Sequence, residues 1–238
     1  MRIVEVTSGL GRGGTERSIH DRLRHAPADV ETHVIRTGRE TSYLESEISN
    51  HATVHSRPLF PISLVKRINP SLVVTHNPRE ALRILSSRIH REIPIVVMAH
   101  NEITSEGGTK AQLLDAVLPR FNARAALHLA VSSSAALGPQ CSKSRHTKIH
   151  HLGSSIDPSV SPDNHFWPMG TRQQILVLGR SSPQKNLTSL LKAVAVGKAE
   201  LRTLKSHIAI VGVDQKNHEL GALRRHLDIE DLVSTHHP

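Results

Sequence analysis

Short, nearly continuous apolar runs alternate with amphipathic stretches along the first part of the chain. The apolar runs are rich in β-branched and aliphatic residues, which is typical of parallel strands buried on both faces. They predict strands over Ile3–Val6, His33–Arg36, Leu72–Thr75, Ile95–Met98 and Leu127–Val131. Apolar residues at helical spacing predict helices over Glu16–Arg24, Tyr43–Ile48, Arg79–Ile89 and Gln112–Arg124. The alternation predicts an α/β fold with a doubly wound, Rossmann-like parallel sheet.

A change of composition separates this region from the last part of the chain. Residues 153–172 are rich in Ser, Pro, Gly and Asp, after which strand and helix patterns resume. The resumed patterns predict strands over Ile175–Leu178 and Ile208–Val211 and helices over Leu187–Ala195 and Glu219–Leu227. We therefore expect an N-terminal domain over 1–160, a linker over 161–172 and a partial C-terminal domain over 173–238. Residues 231–234 indicate the approach to another strand, so the second Rossmann-like domain is expected to be incomplete.

The charge of the chain restricts the class of its partners. Lys and Arg number 30 against 21 for Asp and Glu, which gives a formal net charge of +9. Such a balance favours nucleic acid, acidic lipid headgroups or phosphorylated small molecules. Aromatic residues make up only 2% of the chain, so stacking platforms for single-stranded nucleic acid are missing, and no nucleic-acid-binding motif occurs. We therefore expect no nucleic acid partner, and we favour phosphate-bearing substrates and peripheral contact with an anionic membrane.

Three sequence features bear on cellular location. Cys141 is the single cysteine, which excludes an internal disulfide framework and is consistent with a reducing compartment. No apolar run approaches the ~18 residues of a membrane span. The N-terminus lacks the basic-then-apolar form of a signal peptide. We expect a cytoplasmic protein whose contact with a membrane is peripheral and at its inner face.

Two cations flank the turn that follows the predicted strand Ile175–Leu178. Arg180 and Lys185 stand five positions apart around a Pro-containing turn, next to the start of a predicted helix. Ligands of open α/β sheets bind outside the carboxyl ends of the strands. An Arg fork and a mobile Lys charge can converge on a diphosphate, to which a helix N-terminus adds N–H donors. The alternative is that both cations are solvated loop charges.

Two other groups of residues follow predicted strands. Gly13 and Gly14 remove side chains where a strand turns into a helix, so that backbone N–H groups can approach a phosphate. The alternative for them is a turn that needs positive φ. His100 ends an apolar strand and could donate a hydrogen bond to developing negative charge, or it could be a satisfied core histidine. His76 lies at the end of a neighbouring strand, and for it we favour a structural or acceptor-side role.

Seven segments in chain order resemble motifs of the GT-B glycosyltransferases of the GT4 group. Gly11–Glu16 is similar to the group's G-G-x-E turn, and Gly179–Asn186 is similar to its G-R-L-x-P-E-K-G segment. The others resemble its D-V-V-H-x-H strand, its histidine-terminated strand and its A-V-S, P-N-G-I-D and I-V-G-x-G segments: Pro70–Asn77, Ile93–Asn101, Ala130–Ser134, Gly153–Asp157 and Ile208–Gly212. The resemblance covers nearly the whole chain.

The resemblance implies a GT-B-like fold and a retaining glycosyltransferase. The sugar would move from a nucleoside-diphosphate-sugar to a hydroxyl acceptor on a polysaccharide or lipid-linked glycan. His100 matches the family's catalytic histidine, which contacts the donor sugar and supports the departing phosphate. The residues that match the surroundings of the donor diphosphate are Gly13, Gly14, Arg180 and Lys185.

The resemblance also bears on the acceptor and on cofactors. His76 and Asn101 are the candidates for the acceptor side. Arg180 and Lys185 would neutralise the leaving diphosphate, a role that a metal ion has in other transferases. We therefore expect no metal site and no cofactor apart from the donor substrate itself.

The chain departs from the group's pattern in three places. The sequence ends at Pro238, before the position of the group's E-x7-E motif, whose carboxylates bind sugar and ribose hydroxyls. Ser154 and Ser155 replace the usual Asn-Gly, and Asn186 replaces a common Gly. We therefore expect transfer activity to be impaired by C-terminal truncation. The alternatives are a non-catalytic remnant, a subunit completed by a second polypeptide, or another nucleotide-sugar enzyme such as an epimerase.

Overall fold

The computed structural model describes residues 1–11, 13–39, 42–100, 109–149, 172–179, 181, 185–213 and 218–236. The chain divides into two units, Met1–Ile156 and Asp157–Pro238, and each unit has a parallel sheet of its own. The α/β fold expected from the strand and helix pattern is confirmed. Of the linker expected over 161–172, only Arg172 is among the described residues.

A seven-stranded sheet forms the centre of the first unit. Its strands are β1 (Arg2–Thr7), β2 (Glu31–Arg36), β3 (Thr53–Ser56), β4 (Leu72–Thr75), β5 (Ile95–Ala99), β6 (Leu127–Ala130) and β7 (Thr147–Ile149). They lie in the order β3-β2-β1-β4-β5-β6-β7 with every neighbouring pair parallel. The order runs outward in opposite directions from β1 and β4. The boundary between these two strands is therefore the topological switch point, where ligands of such sheets bind.

Helices cover both faces of this sheet. Those of the described part are α1 (Gly14–Arg24), α2 (Glu45–Ser49), α3 (Pro61–Ile68), α4 (Pro78–Ser86), α5 (Thr109–Val117), α6 (Pro119–Asn122) and α7 (Ser133–Leu137), with a 3₁₀ turn over Ile89–Arg91. Val4 and Val6 of β1 pack with the buried side of α3 and α4 in the largest apolar cluster. Ile19 and Leu23 of α1 pack on the other side with Val34. Because side chains alternate along a strand, Glu5 points to the face opposite Val4 and Val6.

The second unit is a smaller layer of the same kind. It contains β8 (Gln173–Leu178), α8 (Leu187–Val196), α9 (Lys198–Thr203), β9 (Ser206–Val211), α10 (His218–His226) and β10 (Val233–His236). The sheet order is β10-β9-β8, with both pairs parallel. Leu191, Ile210 and Ile229 are fully enclosed in its core. β8 is an edge strand whose apolar side chains are largely exposed, since Leu178 keeps 67% of its surface.

The structure differs from the predicted elements mainly at the edges of the first sheet. β3 and β7 were not expected, because Thr53–Ser56 and Thr147–Ile149 are short, partly exposed edge strands without a continuous apolar run. α3 was also not expected. The single helix predicted over Gln112–Arg124 is instead α5 and α6, with Pro119 beginning the second, since proline lacks the N–H that would continue the ladder. No described helix has the length and apolar character needed to span a membrane.

A buried histidine makes the stability of the first unit sensitive to pH. His128 of β6 is fully buried, and its Nδ1 lies 2.6 Å from Oγ of Ser144. Oγ of Ser144 also donates to the carbonyl of His146 at 3.0 Å, so His128 Nδ1 is the donor in their contact. Nε2 of His128 is buried without a hydrogen-bond partner among the described residues. Burial lowers the pKa of His128 to about 4 from 6.5.

This pKa predicts a loss of stability in mild acid. Between pH 6.5 and 4 the unfolded chain binds the proton and the folded chain does not, so the free energy of unfolding falls as the pH falls. The His128 contribution is about 3 kcal/mol at most. In His128→Leu, urea unfolding at a series of pH values should show a shallower decline than in the wild type. The exposed His25→Gln serves as the reference variant, and parallel pH curves for wild type and His128→Leu would contradict the assignment.

Candidate functional site

The ends of β1, β4 and β5 bring the candidate residues of the first unit to one edge of the sheet. His76 directly follows β4, and His100 directly follows β5. Asn77, the N-cap of α4, ties the two sides of the switch point together. Its Oδ1 accepts hydrogen bonds from the Ser8 backbone N–H at 2.8 Å and from Thr7 Oγ1 at 3.1 Å. The loops after β1 and β4 are therefore held against each other.

The two glycines of the first turn lie at the N-terminus of α1, at the same edge. Gly13 is the N-cap and has φ −85° and ψ 164°, an extended conformation that any residue can adopt. Gly13 therefore does not have the positive φ that the alternative interpretation of this turn requires. A Cβ on Gly13 would meet only the far end of the Glu16 side chain, at 2.2 Å from Oε2. A Cβ on Gly14 would have no described atom within 4 Å.

Packing inside the protein thus does not require glycine at position 14. The first N–H groups of a helix have no partner within the helix, and the N-terminus carries partial positive charge. With no side chain at Gly14, an anion can approach these N–H groups closely. The start of α1 is therefore open at Gly14, while the Glu16 carboxylate lies beside Gly13.

His76 and His100 lie in direct contact. Nδ1 of His76 is 3.1 Å from Nε2 of His100, and Nε2 of His76 hydrogen-bonds Oε2 of Glu5. Nη2 of Arg22, on α1, donates to the same Glu5 oxygen at 2.8 Å. Nη1 of Arg22 donates to Oγ of Ser18 at 3.2 Å. The structure therefore joins Arg22, Glu5, His76 and His100 in one continuous cluster, which we call the Glu5 cluster.

The charges of the Glu5 cluster follow from burial and proximity. Burial by itself raises the pKa of Glu5, but the adjacent His76 and Arg22 outweigh burial and hold that pKa well below its usual range. Glu5 is therefore ionised, and Arg22 balances its charge. The pKa of His100 is lowered to about 3, because burial lowers it most, the charge of Arg22 lowers it further, and Glu5 only partly opposes the shift. His100 is therefore neutral near physiological pH.

In the second unit, Lys185 lies at the carboxyl end of β8. A Cβ added to Gly179 would be 3.2 Å from Cγ and Cδ of Lys185, so the aliphatic part of the lysine packs across this glycine. The Lys185 side chain is exposed, and no acidic group of the described residues lies within salt-bridge distance of it. Asn186 caps α8 at φ 47° and ψ 43°. This left-handed conformation suits glycine first and asparagine next, which explains how asparagine is accommodated there.

The structure brings some of the predicted site residues together and leaves others undescribed. His76 and His100 touch, and Gly13 and Gly14 lie at the same sheet edge of the same unit. The predictions for Arg180 and Asn101 fall outside the described residues. Within the residues that are described, no group of three or more His, Cys, Asp or Glu side chains could hold a metal ion.

Sequence reasoning missed Glu5 and Arg22. Glu5 is the one charged residue in the apolar run Ile3–Val6, and a carboxylate on a strand buried on both faces is rare unless it is paired. That signal could have marked Glu5 as a site residue. Nothing local marked Arg22, because its role depends on how α1 packs against β1.

Structural comparison finds several solved glycosyltransferases of similar architecture. HepE from Anabaena, in complex with UDP and glucose, has a TM-score of 0.73 and 16% identity, covering 100% of this chain and 70% of that chain. Sucrose-phosphate synthase from Thermosynechococcus elongatus has a TM-score of 0.66 and 14% identity, covering 99% and 70%. The lipopolysaccharide outer core galactosyltransferase WaaB has a TM-score of 0.55 and 16% identity, covering 100% and 68%.

These neighbours establish the architecture. They are GT-B glycosyltransferases, and the chain therefore has a GT-B-like fold, as the sequence motifs implied. Identities at this level show the fold alone. Comparisons of the sequence with protein-family models and with curated proteins find no match.

Two glycines at this sheet edge should respond differently to a methyl group. Gly14→Ala should leave the free energy of unfolding unchanged or raise it by up to about 1 kcal/mol, because the space is open and alanine favours helix. Gly38→Ala should lower it by about 1–3 kcal/mol, because its Cβ would meet the Ser8 carbonyl oxygen. That oxygen lies 2.2 Å from the Cβ position. Urea unfolding of both variants would test this pair, and a Gly14→Ala variant as unstable as Gly38→Ala would contradict it.

Proposed function

We propose that this protein is a retaining glycosyltransferase of the GT4 group, which transfers a sugar from a nucleoside-diphosphate-sugar to a hydroxyl acceptor. The observation that carries the proposal is the Glu5 cluster, a buried polar cluster at the switch point of a GT-B-like sheet. Its reactive end, His100, directly follows β5 at the edge where such sheets bind ligands. The open helix start at Gly14 lies at the same edge.

The first unit supplies two kinds of group for this reaction. The N–H donors at the start of α1 would bind phosphate oxygens of the donor, with Gly13 and Gly14 permitting the approach. His100 would contact the donor where the sugar joins the diphosphate, which is the bond that breaks. His76 holds His100 in place, because its side chain has no exposed surface and both of its ring nitrogens are engaged within the cluster. Acceptor-side contacts would come from Asn101.

The second unit supplies positive charge. Negative charge accumulates on the diphosphate as it leaves, and fixed cations lower the free energy of that transition state. Lys185 is suited to this role because its stem rests on Gly179 and its ammonium group has no acidic partner among the described residues. Arg180 would add a planar fork. In this proposal the two cations, and not a resident metal ion, neutralise the leaving group.

The neighbours suggest which substrates to test first. HepE was solved with UDP, with UDP and glucose, and with UDP-glucose. WaaB is a galactosyltransferase of the lipopolysaccharide outer core. We therefore propose a UDP-sugar as donor and a glycan hydroxyl, free or lipid-linked, as acceptor. The net charge of +9 supports peripheral contact between the protein and an anionic cytoplasmic membrane surface.

Binding of UDP should depend on both cations. Each charge-assisted contact contributes about 1.5–3 kcal/mol, so Arg180→Ala and Lys185→Ala should each weaken UDP binding roughly tenfold or more. Calorimetric titration at two salt concentrations would measure this, with weaker binding at high salt. Lys192→Ala removes the same charge from an exposed position on α8 and is the matched control. Equal binding by wild type and the Arg180→Ala/Lys185→Ala double variant would contradict the assignment.

The α1 helix start should be sensitive to a single methyl group. Gly14→Ala should weaken UDP binding at least several-fold while the protein remains folded, because its Cβ would stand where the phosphate approaches. Gly221→Ala is the control, since it adds a methyl group at another open helical position, on α10. The same calorimetric titration measures both variants. Unchanged UDP affinity in Gly14→Ala would remove α1 from the donor site.

Loss of the His100 side chain should affect turnover more than it affects folding. A preorganised group at a centre of developing charge contributes about 10²-fold or more to the rate. His100→Ala should therefore lower UDP release from UDP-glucose by about that factor in the presence of an accepted glycan, and should retain UDP binding. His25→Ala, an exposed position on the same unit, is the control. Full turnover by His100→Ala would show that this histidine is structural.

A further inference from the structure

The hydrogen bonds of the Glu5 cluster have a direction, because the cluster ends at an ionised carboxylate. An ionised glutamate accepts hydrogen bonds and cannot donate. Oε2 of Glu5 accepts a hydrogen bond from Nη2 of Arg22 at 2.8 Å and also forms a hydrogen bond with Nε2 of His76. Nε2 of His76 must therefore carry a proton. Nη2 of Arg22 lies 3.4 Å from that same nitrogen, and since both groups are donors, this approach is not a hydrogen bond.

The charge balance of the cluster determines whether Nδ1 of His76 also carries a proton. Arg22 already neutralises Glu5, and the His76 side chain has no exposed surface. A second proton on His76 would bury a net positive charge beside the Arg22 guanidinium, which is unfavourable. A cluster without net charge therefore has one proton on His76, at Nε2, and a lone pair on Nδ1.

The lone pair on His76 determines which nitrogen of His100 carries a proton. Nδ1 of His76 and Nε2 of His100 are 3.1 Å apart, and since the first can only accept, the second must donate. The charged and titratable groups of the described residues that face His100 are His76 at the end of β4, Arg22 on α1 and Glu5 on β1. In a neutral His100 the proton on Nε2 leaves Nδ1 unprotonated. Nδ1 of His100 has no hydrogen-bond partner among the described residues.

We propose that Glu5 is a positioning residue that acts through His76 to hold His100 in the tautomer with its proton on Nε2. In the free protein, Nδ1 of His100 is then an acceptor of hydrogen bonds. It becomes a donor only after a solvent proton adds to it. The two hydrogen bonds that lead back to Glu5 keep the same direction after that step, so the carboxylate then serves as the remote counter-charge of the imidazolium. The sequence alone suggested that His100 donates directly; the cluster makes proton uptake a requirement for that role.

The tautomer is a property of the free protein, whereas its effect on turnover rests on the proposed function. The first experiment is therefore long-range ¹H–¹⁵N correlation of the imidazole groups in the full, ligand-free chain at pH 7. His76→Asn and His100→Asn assign the signals. Both histidines should show protonated Nε2 and unprotonated Nδ1. A wild-type His100 that is protonated on Nδ1 overturns the proposal whether or not any variant folds.

Glu5→Gln tests the origin of the tautomer. A neutral amide can donate as well as accept, so it should no longer fix His76, and the His100 signals should shift toward a mixture of tautomers. Glu80→Gln is the matched control. Glu80 is also buried in the same unit, and its Oε1 accepts a hydrogen bond from Oγ1 of Thr37 at 2.7 Å. Neither histidine is hydrogen-bonded to Glu80. His100 signals that are unchanged in Glu5→Gln, or that shift equally in Glu80→Gln, overturn the proposal.

Kinetics supply the functional arm. With a working donor and acceptor, Glu5→Gln should lower kcat roughly tenfold or more with a smaller change in KM, and Glu80→Gln should change neither. The acid limb of the kcat profile should also move in Glu5→Gln, because the counter-charge of the His100 imidazolium is gone. A Glu5→Gln enzyme with wild-type kcat and an unmoved pH profile overturns the role in turnover. Failure of the wild type to bind UDP overturns the proposed function and leaves the tautomer result intact.

Discussion

Parallel pairing of β1 on both of its sides is the constraint from which the site of the first unit follows. β1 is hydrogen-bonded to β2 and β4, with Val6 opposite Ile35 on one side and Thr75 on the other. Because the strands are parallel, their carboxyl ends share one edge, and the residues just beyond them become neighbours. The backbone N–H of His76 donates to the carbonyl of Val6 at 3.1 Å, which continues the ladder one residue into the site.

Burial of a carboxylate in the strand that anchors the sheet needs compensation. Glu5 is buried and lies opposite Val34 and Val74 of the neighbouring strands, so an unpaired charge there would be strongly unfavourable. Arg22 and His76 provide the compensation, and the guanidinium remains partly in solvent. Apolar residues of similar volume are often as stabilising as a buried ion pair, so stability alone does not account for this cluster. Control of His100 does account for it, since the direction of the hydrogen bonds depends on an ionised group at the far end.

The second unit is organised with less burial and more exposed charge. Its sheet has three strands, and Leu176 and Leu178 of β8 are exposed although the strand is apolar. Its helical side is held by ion pairs as well as by packing: Arg202 of α9 contacts Asp231 at 2.8 Å. Lys185 needs no such partner for its position, because its stem packs on Gly179. The same arrangement that leaves its ammonium group accessible makes it suited to an anionic ligand.

The sequence by itself determined the alternation of strands and helices, and with it the α/β fold with parallel sheets, because burial on both faces leaves continuous apolar runs such as Ile95–Met98. The GT-B-like arrangement was implied only by the resemblance of its motifs. It also placed His76 and His100 after neighbouring strands. It could not indicate the short edge strands β3 and β7, which are hydrogen-bonded on one side only and lack such runs. Only the tertiary structure decided that Glu5, Arg22, His76 and His100 form one cluster. Glu5 and His76 are 71 positions apart, and their contact depends on the register of β1 with β4 and on the rotation of α1, which are long-range properties of the packed sheet.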